Sequence, residues 1–182
     1  WEKEIDQTTE KFVGRFSILS ASQLNYKPGQ HAWSIAQNIH HLIRLNSSYF
    51  LIFDEIKTGK YVLPPSESID QLAKKSLKIL HPYISRDRPK KANTWSIWQP
   101  SHENFDTSIL NDFVHHQSSF KIHIMELREF LEKPTYIKYP GETELVFRLE
   151  ECIDYLIEHE NRHWLQANEV VNHIDLQNKS RG

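Results

Sequence analysis

A chain of 182 residues, 38% hydrophobic and 25% charged, has the size and balance of one globular domain with room for a proper core. A net charge of −2 with no basic stripe argues against nucleic acid as a partner, and no apolar run approaches the ~18 residues of a membrane span. One cysteine, Cys152, excludes an internal disulfide and fits a reducing compartment, so a cytoplasmic location is expected.

The first residues are polar and amphipathic and show no signal-peptide pattern. Met125 is the only methionine, and further residues are expected to precede Trp1. Helical spacing of Trp1, Ile5, Thr8, Phe12, Phe16 and Leu19 predicts a first helix over 2–19. Pro28-Gly29 makes 20–32 a loop. Ser34 and Gln37 form a capping-box pair, and a second helix runs from there to Lys57, closed by Thr58-Gly59. After Pro64-Pro65, the pair Ser68 and Gln71 starts a third helix over 69–84. The stretch 86–106 holds Pro89, Pro100, Trp95 and Trp98; a connection that long is usually functional, and two indole rings need somewhere to pack. A fourth helix is expected over 107–132 and a last one over 144–174. Tyr136 to Tyr139 alternates weakly but is short and flanked by prolines, so it is not read as a strand. That gives five helices, with a polar tail over 175–182.

Eleven histidines are the compositional oddity. On the last helix, His159 and His163 fall inside the apolar arc, four residues apart, so both rings point the same way from adjacent turns. That spacing lets two imidazoles reach one cation. The plain alternative is a pair of core histidines satisfied by hydrogen bonds. On the second helix, His41 lies at the edge of the apolar arc and His40 further toward the polar side, so a third ligand would be His41. His116 and His123 sit near the apolar edge of the fourth helix, within reach of the same cavity. His31, His81, His102 and His173 are read as solvated, and Cys152 as a small buried apolar residue.

The run His159-Glu160-Asn161-Arg162-His163 matches the H-E-x-x-H pattern of zinc metallopeptidases, in which the glutamate activates water. The context is poor, because Gln166 and Glu169 stand where a metzincin continuation wants Gly and His. A wider match is carried by Leu24-Asn25-Tyr26-Lys27-Pro28, by Trp33-Ser34-Ile35-Ala36-Gln37 and by His41-Leu42. At the other end it is carried by Pro140-Gly141, His159-Glu160, Arg162-His163 and Gln166. These segments resemble the opening and the closing helix of the DinB-like, or YfiT-like, family. The resemblance implies an all-α fold: a four-helix bundle with an additional short helix, over 1–174. It also implies a three-histidine metal site, falling by motif position on His41, His159 and His163. The family includes thiol-dependent S-transferases and a maleylpyruvate isomerase.

The expected function is therefore a metal-dependent enzyme acting on a small molecule, as a thiol S-transferase-like transferase or a hydrolase. The alternatives are a metal-binding protein without turnover and the metallopeptidase. Zinc is the expected ion, with nickel second. Glu160 is the candidate general base or a partner that orients a ligating histidine, or else a carboxylate paired with a neighbouring cation. Tyr26, Trp33, Trp95, Trp98, His116 and His123 are the candidate lining of the substrate pocket, with 86–106 covering the open side of the ion. The expected partners are a small-molecule substrate, with a low-molecular-weight thiol as co-substrate, and a second copy in a homodimer.

Overall fold

The computed structural model describes residues 1–84 and 94–179. Among these residues six helices carry the fold: α1 (Glu2–Phe16), α2 (Ala21–Asn25), α3 (Ile35–Lys57), α4 (Ile69–Ile84), α5 (Ile109–Glu126) and α6 (Leu149–Lys179). Two 3-10 turns, at Ser96–Trp98 and Arg128–Leu131, and one antiparallel hairpin, β1 (Tyr136–Tyr139) with β2 (Glu142–Arg148), complete it. Residues 85–93 of the long connection, the side chain of His81 and the last three residues of the expected tail lie outside the described residues.

The bundle is made by α1, α3, α5 and α6, with α1 and α3 each packed on both α5 and α6. Each helix buries a stripe at helical spacing; on α1 it is Ile5, Thr8, Phe12 and Phe16. The start of α3 is as expected: Gln37 N–H donates to Ser34 Oγ at 3.1 Å, and Ser34 N–H donates to Gln37 Oε1 at 3.3 Å. Gly59, at φ +68°, follows its last turn. A further capping box, Ser20 with Gln23, starts α2 inside the segment expected to be a loop.

The hairpin corrects two expectations. Residues 136–139 do form a strand, and 144–148 belong to its partner and not to the last helix. Ile137 pairs with Phe147 and Lys138 with Val146, with an irregularity between Lys138 and Tyr139. Ile137, Val146 and Phe147 are fully buried. The N–H groups that point away from the ladder still find acceptors: Val146 donates to Ser76 Oγ of α4 at 3.1 Å, and Lys138 donates to the Tyr61 hydroxyl. Both strands therefore bury their backbone without an open edge at those positions, which outweighs the flanking prolines. Smaller differences are that α1 stops at Phe16 and α5 at Glu126, where the chain tightens into a 3-10 turn, and that α6 continues to Lys179.

The bundle core divides into two apolar parts, and a third, smaller cluster of Ala73, Tyr136 and Val146 joins α4 to the hairpin. One gathers Leu45, Tyr49, Phe53, Phe120, Ile124, Leu149, Cys152 and Leu156, and the other Phe12, Phe16, Ile35, Ile39, Phe113, Ala167 and Val170. At the seam between them, each bundle helix contributes buried polar groups: Thr8, His41, Asn46, His116, Gln117, Glu160 and His163.

Candidate metal centre

His41 comes from α3, and His159 and His163 come from successive turns of α6, which packs against it. One nitrogen of each ring lies within 4.8 Å of those of the other two. His41 Nε2 and His159 Nε2 lie 3.1 Å apart. His41 and His163 are buried, while His159 keeps a partly exposed edge. Trp33, just before α3, covers one side of the group, with its ring 4.8 Å from that of His41 and stacked at 5.8 Å on His163.

Two of the three rings are anchored through their other nitrogen. His41 Nδ1 donates to the Trp98 carbonyl at 2.8 Å, and His163 Nδ1 donates to Asn38 Oδ1 at 2.7 Å. His159 Nδ1 is buried and has no partner among the described residues. Burial pushes the His41 pKa down to about 4, against a smaller opposing effect from the Trp98 carbonyl. Burial also holds His159 and His163 well below the usual histidine range, and the neighbouring histidines and Arg162 add to this. At neutral pH the three rings are uncharged, with lone pairs to offer. Three neutral imidazoles gathered at one point, with no carboxylate or thiol in the group, fit a divalent transition ion with at least one position left open.

His40 turns away from this cluster. Its Nδ1 accepts from Ser101 N–H at 3.0 Å, and its ring lies 4.9 Å from Phe105. Glu160 is fully buried, and its two oxygens accept from Asn46 Nδ2 at 2.6 Å and from Gln117 Nε2 at 2.8 Å. It is not in the histidine group. Burial raises its carboxyl to about 7, with the two amides pulling the other way.

The candidate pocket residues are spread over several places. Trp33 borders the histidines. Trp98 meets them through its backbone carbonyl; the residue is 2% exposed, and its ring packs edge-on against Trp95 and Tyr139 and donates from Nε1 to Ser48 Oγ at 3.0 Å. Trp95 sits on Tyr139 of the hairpin. His116 and His123 flank the Phe50 ring at 5.1 and 4.3 Å, on the face of α3 roughly opposite His41. The Tyr26 hydroxyl accepts from Gln177 at 2.8 Å, fourteen residues beyond His163 on α6, a rise of about 21 Å.

Sequence reasoning missed Asn38, Asn46, Gln117 and the Trp98 carbonyl as parts of this region. Asn38 left a signal, since an amide one turn before His41 on a buried face needs a partner. The carbonyl left none.

A family model described as the DinB superfamily matches residues 4–167. No curated protein and no solved structure matches the chain.

Proposed function

The chain belongs to the DinB superfamily, and we propose that it is a metal-dependent enzyme that holds one divalent ion on His41, His159 and His163. The observation that carries this reading is the convergence of three neutral ring nitrogens within 4.8 Å. Zinc is the ion proposed first and nickel second. When bound, it supplies Lewis acidity toward a small-molecule substrate or an incoming thiol. The chain's own residues do the rest. His41 and His163 are held in place by acceptors, Trp33 screens one flank, and the partly exposed side of His159 leaves room for a ligand to enter. The proposed chemistry is group transfer involving a low-molecular-weight thiol, with hydrolysis second; it rests on family resemblance.

The reading does not use Glu160 as a general base. Its carboxylate is engaged by two amides at the centre of the bundle, and we assign it the job of tying α6 to α3 and α5. For the same reason the peptidase reading of His159 to His163 loses its central residue. A metal-binding protein without turnover remains the second reading, and one observation favours it: among the described residues no carboxylate or thiol joins the group.

The test is zinc and nickel titration by calorimetry on the wild type and on His40→Ala, His41→Ala and His163→Ala. The wild type is expected to bind one equivalent. His41→Ala and His163→Ala are expected to lose stoichiometric binding, and His40→Ala to keep it. Tight binding of one equivalent by His163→Ala would remove that residue from the set. A thiol-dependent activity screen on the loaded protein then separates the enzyme from the binding protein. The proposed homodimer is read separately, from the mass in solution.

A further inference from the structure

Each site histidine has a second ring nitrogen, and the structure treats those three nitrogens differently. The Trp98 carbonyl can only accept, so the His41 nitrogen beside it, Nδ1 at 2.8 Å, carries the proton. His41 Nε2 is then a lone pair. Asn38 decides His163 in the same way. The Asn38 Nδ2 donates to the Ser34 carbonyl at 2.9 Å, which leaves Oδ1 facing His163 Nδ1 at 2.7 Å. The flipped amide would set an oxygen against a carbonyl, so the orientation is fixed by the network. His163 Nδ1 therefore carries the proton, and its Nε2 is a lone pair.

His159 is the exception. Its Nε2 lies 3.1 Å from His41 Nε2. Two lone pairs at that distance repel, so His159 Nε2 holds a proton and donates it to His41. Its Nδ1 is then bare, buried and without a partner among the described residues. An ion shared by the three rings needs a lone pair on His159 Nε2 as well. The proton must leave that atom, and Nδ1 must take one up, with no net change in the charge of the ring.

We propose that Asn38 and the Trp98 carbonyl preset His163 and His41 for an ion, and that His159 is the one ring that exchanges its tautomer when the ion binds. This rests on the reading of the three histidines as a cation site. Asn38 is thus a positioning residue that acts through His163. Histidines that bind metals usually donate their other N–H to an acceptor that orients them, and loss of that acceptor typically weakens binding by about 10–100-fold.

The experiment is long-range proton–nitrogen NMR on imidazole-labelled protein at pH 7.5, first with a chelator and then with zinc. Without metal, His41 and His163 are expected as Nδ1–H and His159 as Nε2–H; with zinc, all three are expected as Nδ1–H. In Asn38→Leu, metal-free His163 should become a mixture of tautomers, and zinc affinity should fall by about 10–100-fold. His41 or His163 found as Nε2–H in the metal-free wild type, or His159 already as Nδ1–H, overturns the proposal without needing any variant to fold. If the metal-free tautomers are as assigned but neither zinc nor nickel binds, the metal reading fails and the tautomer assignment stands.

Discussion

Glu160 is a carboxyl group placed at the centre of a bundle with two amides as its company. Asn46 and Gln117 donate to it, and the oxygens of those same two amides, Asn46 Oδ1 and Gln117 Oε1, are buried with no partner among the described residues. A protonated Glu160 could donate to either amide after a flip, so the neutral acid is well served there. The consequence is a pH dependence of fixed sign. Unfolded, the group titrates near its ordinary 4.5; folded, at about 7. Its contribution to stability is fully present below 4.5, falls as pH rises, and is lost above about 7. Buried His41 and His116, pushed down to about 4, contribute the opposite slope between 6.5 and 4. A difference experiment separates the two. Urea unfolding of metal-free wild type and Glu160→Gln, at pH 5 and pH 8, is expected to favour the variant at pH 8 by roughly 2–3 kcal/mol more than at pH 5. A constant difference across that range would mean that the carboxyl is not raised. At this scale the sequence was half legible. The H-E-x-x-H run singled out Glu160, but the amides that claim it lie 114 and 43 residues away in sequence. No local pattern encodes such a meeting.

Along α3 a single face does a second job besides lining the core. Residues 37, 40, 41, 44 and 48 recur at helical spacing, and together they pin the segment 97–101, which begins in a 3-10 turn, against the helix. Gln37 Nε2 donates to the Ser101 carbonyl, and His40 accepts from Ser101 N–H. His41 donates to the Trp98 carbonyl, Arg44 donates to the Ile97 carbonyl, and Ser48 accepts from the Trp98 indole. The Trp98 ring then fills the space between α3 and the hairpin, where Gly141 leaves no room for a side chain. A Cβ there would lie 3.0 Å from Trp98 Cη2, 3.2 Å from Trp95 Cγ and 3.2 Å from Tyr139 Cε1. Gly141→Ala is therefore expected to lose about 1–3 kcal/mol by overpacking, and to weaken zinc binding because the Trp98 carbonyl moves with its ring. Gly14 is the control. It sits within α1 with nothing within 4 Å of its missing Cβ, so Gly14→Ala is expected to gain about 0.5–1 kcal/mol and leave zinc binding alone. Melting by calorimetry and a zinc titration read both; a neutral Gly141→Ala would mean that the rings are not tightly seated. The long helices were legible in the sequence because their stripes are local, whereas the five residues of α2 are too few to show one. The hairpin was not legible, since Leu145, Val146 and Phe147 fit a helix stripe as well as a strand, and only pairing with β1 and the cap from Ser76 on α4 decides between them.

Over the whole molecule, the polar seam lies between two apolar parts that are each well packed. An ion at His41, His159 and His163 would join α3 to α6 at that seam, where the core is least apolar. The two apolar parts do not need the ion: each draws residues from several bundle helices, with Phe53, Phe120 and Leu156 in one and Phe12, Phe113 and Val170 in the other. Metal-free protein is therefore expected to stay folded with its helices intact. The ion should still raise the melting temperature, because a ligand that binds only the native state stabilises it by mass action, about 2.7 kcal/mol at a free concentration of 100 times Kd. For a chain of this size, each kcal/mol moves the midpoint by roughly 2–4 °C, so saturating zinc should add about 5–10 °C over chelated protein. The gain should persist at pH 5, because burial keeps the three rings neutral there, should shrink only near pH 4 and below, where protons compete for the same nitrogens, and should be absent in His163→Ala at every pH. Circular dichroism melts with chelator and with zinc, each at pH 7.5, 5 and 4, give the answer in one series. An identical midpoint with and without zinc in the wild type would show that no ion bridges α3 and α6. Loss of helical signal on chelation alone would show that the two apolar parts cannot hold the bundle without one.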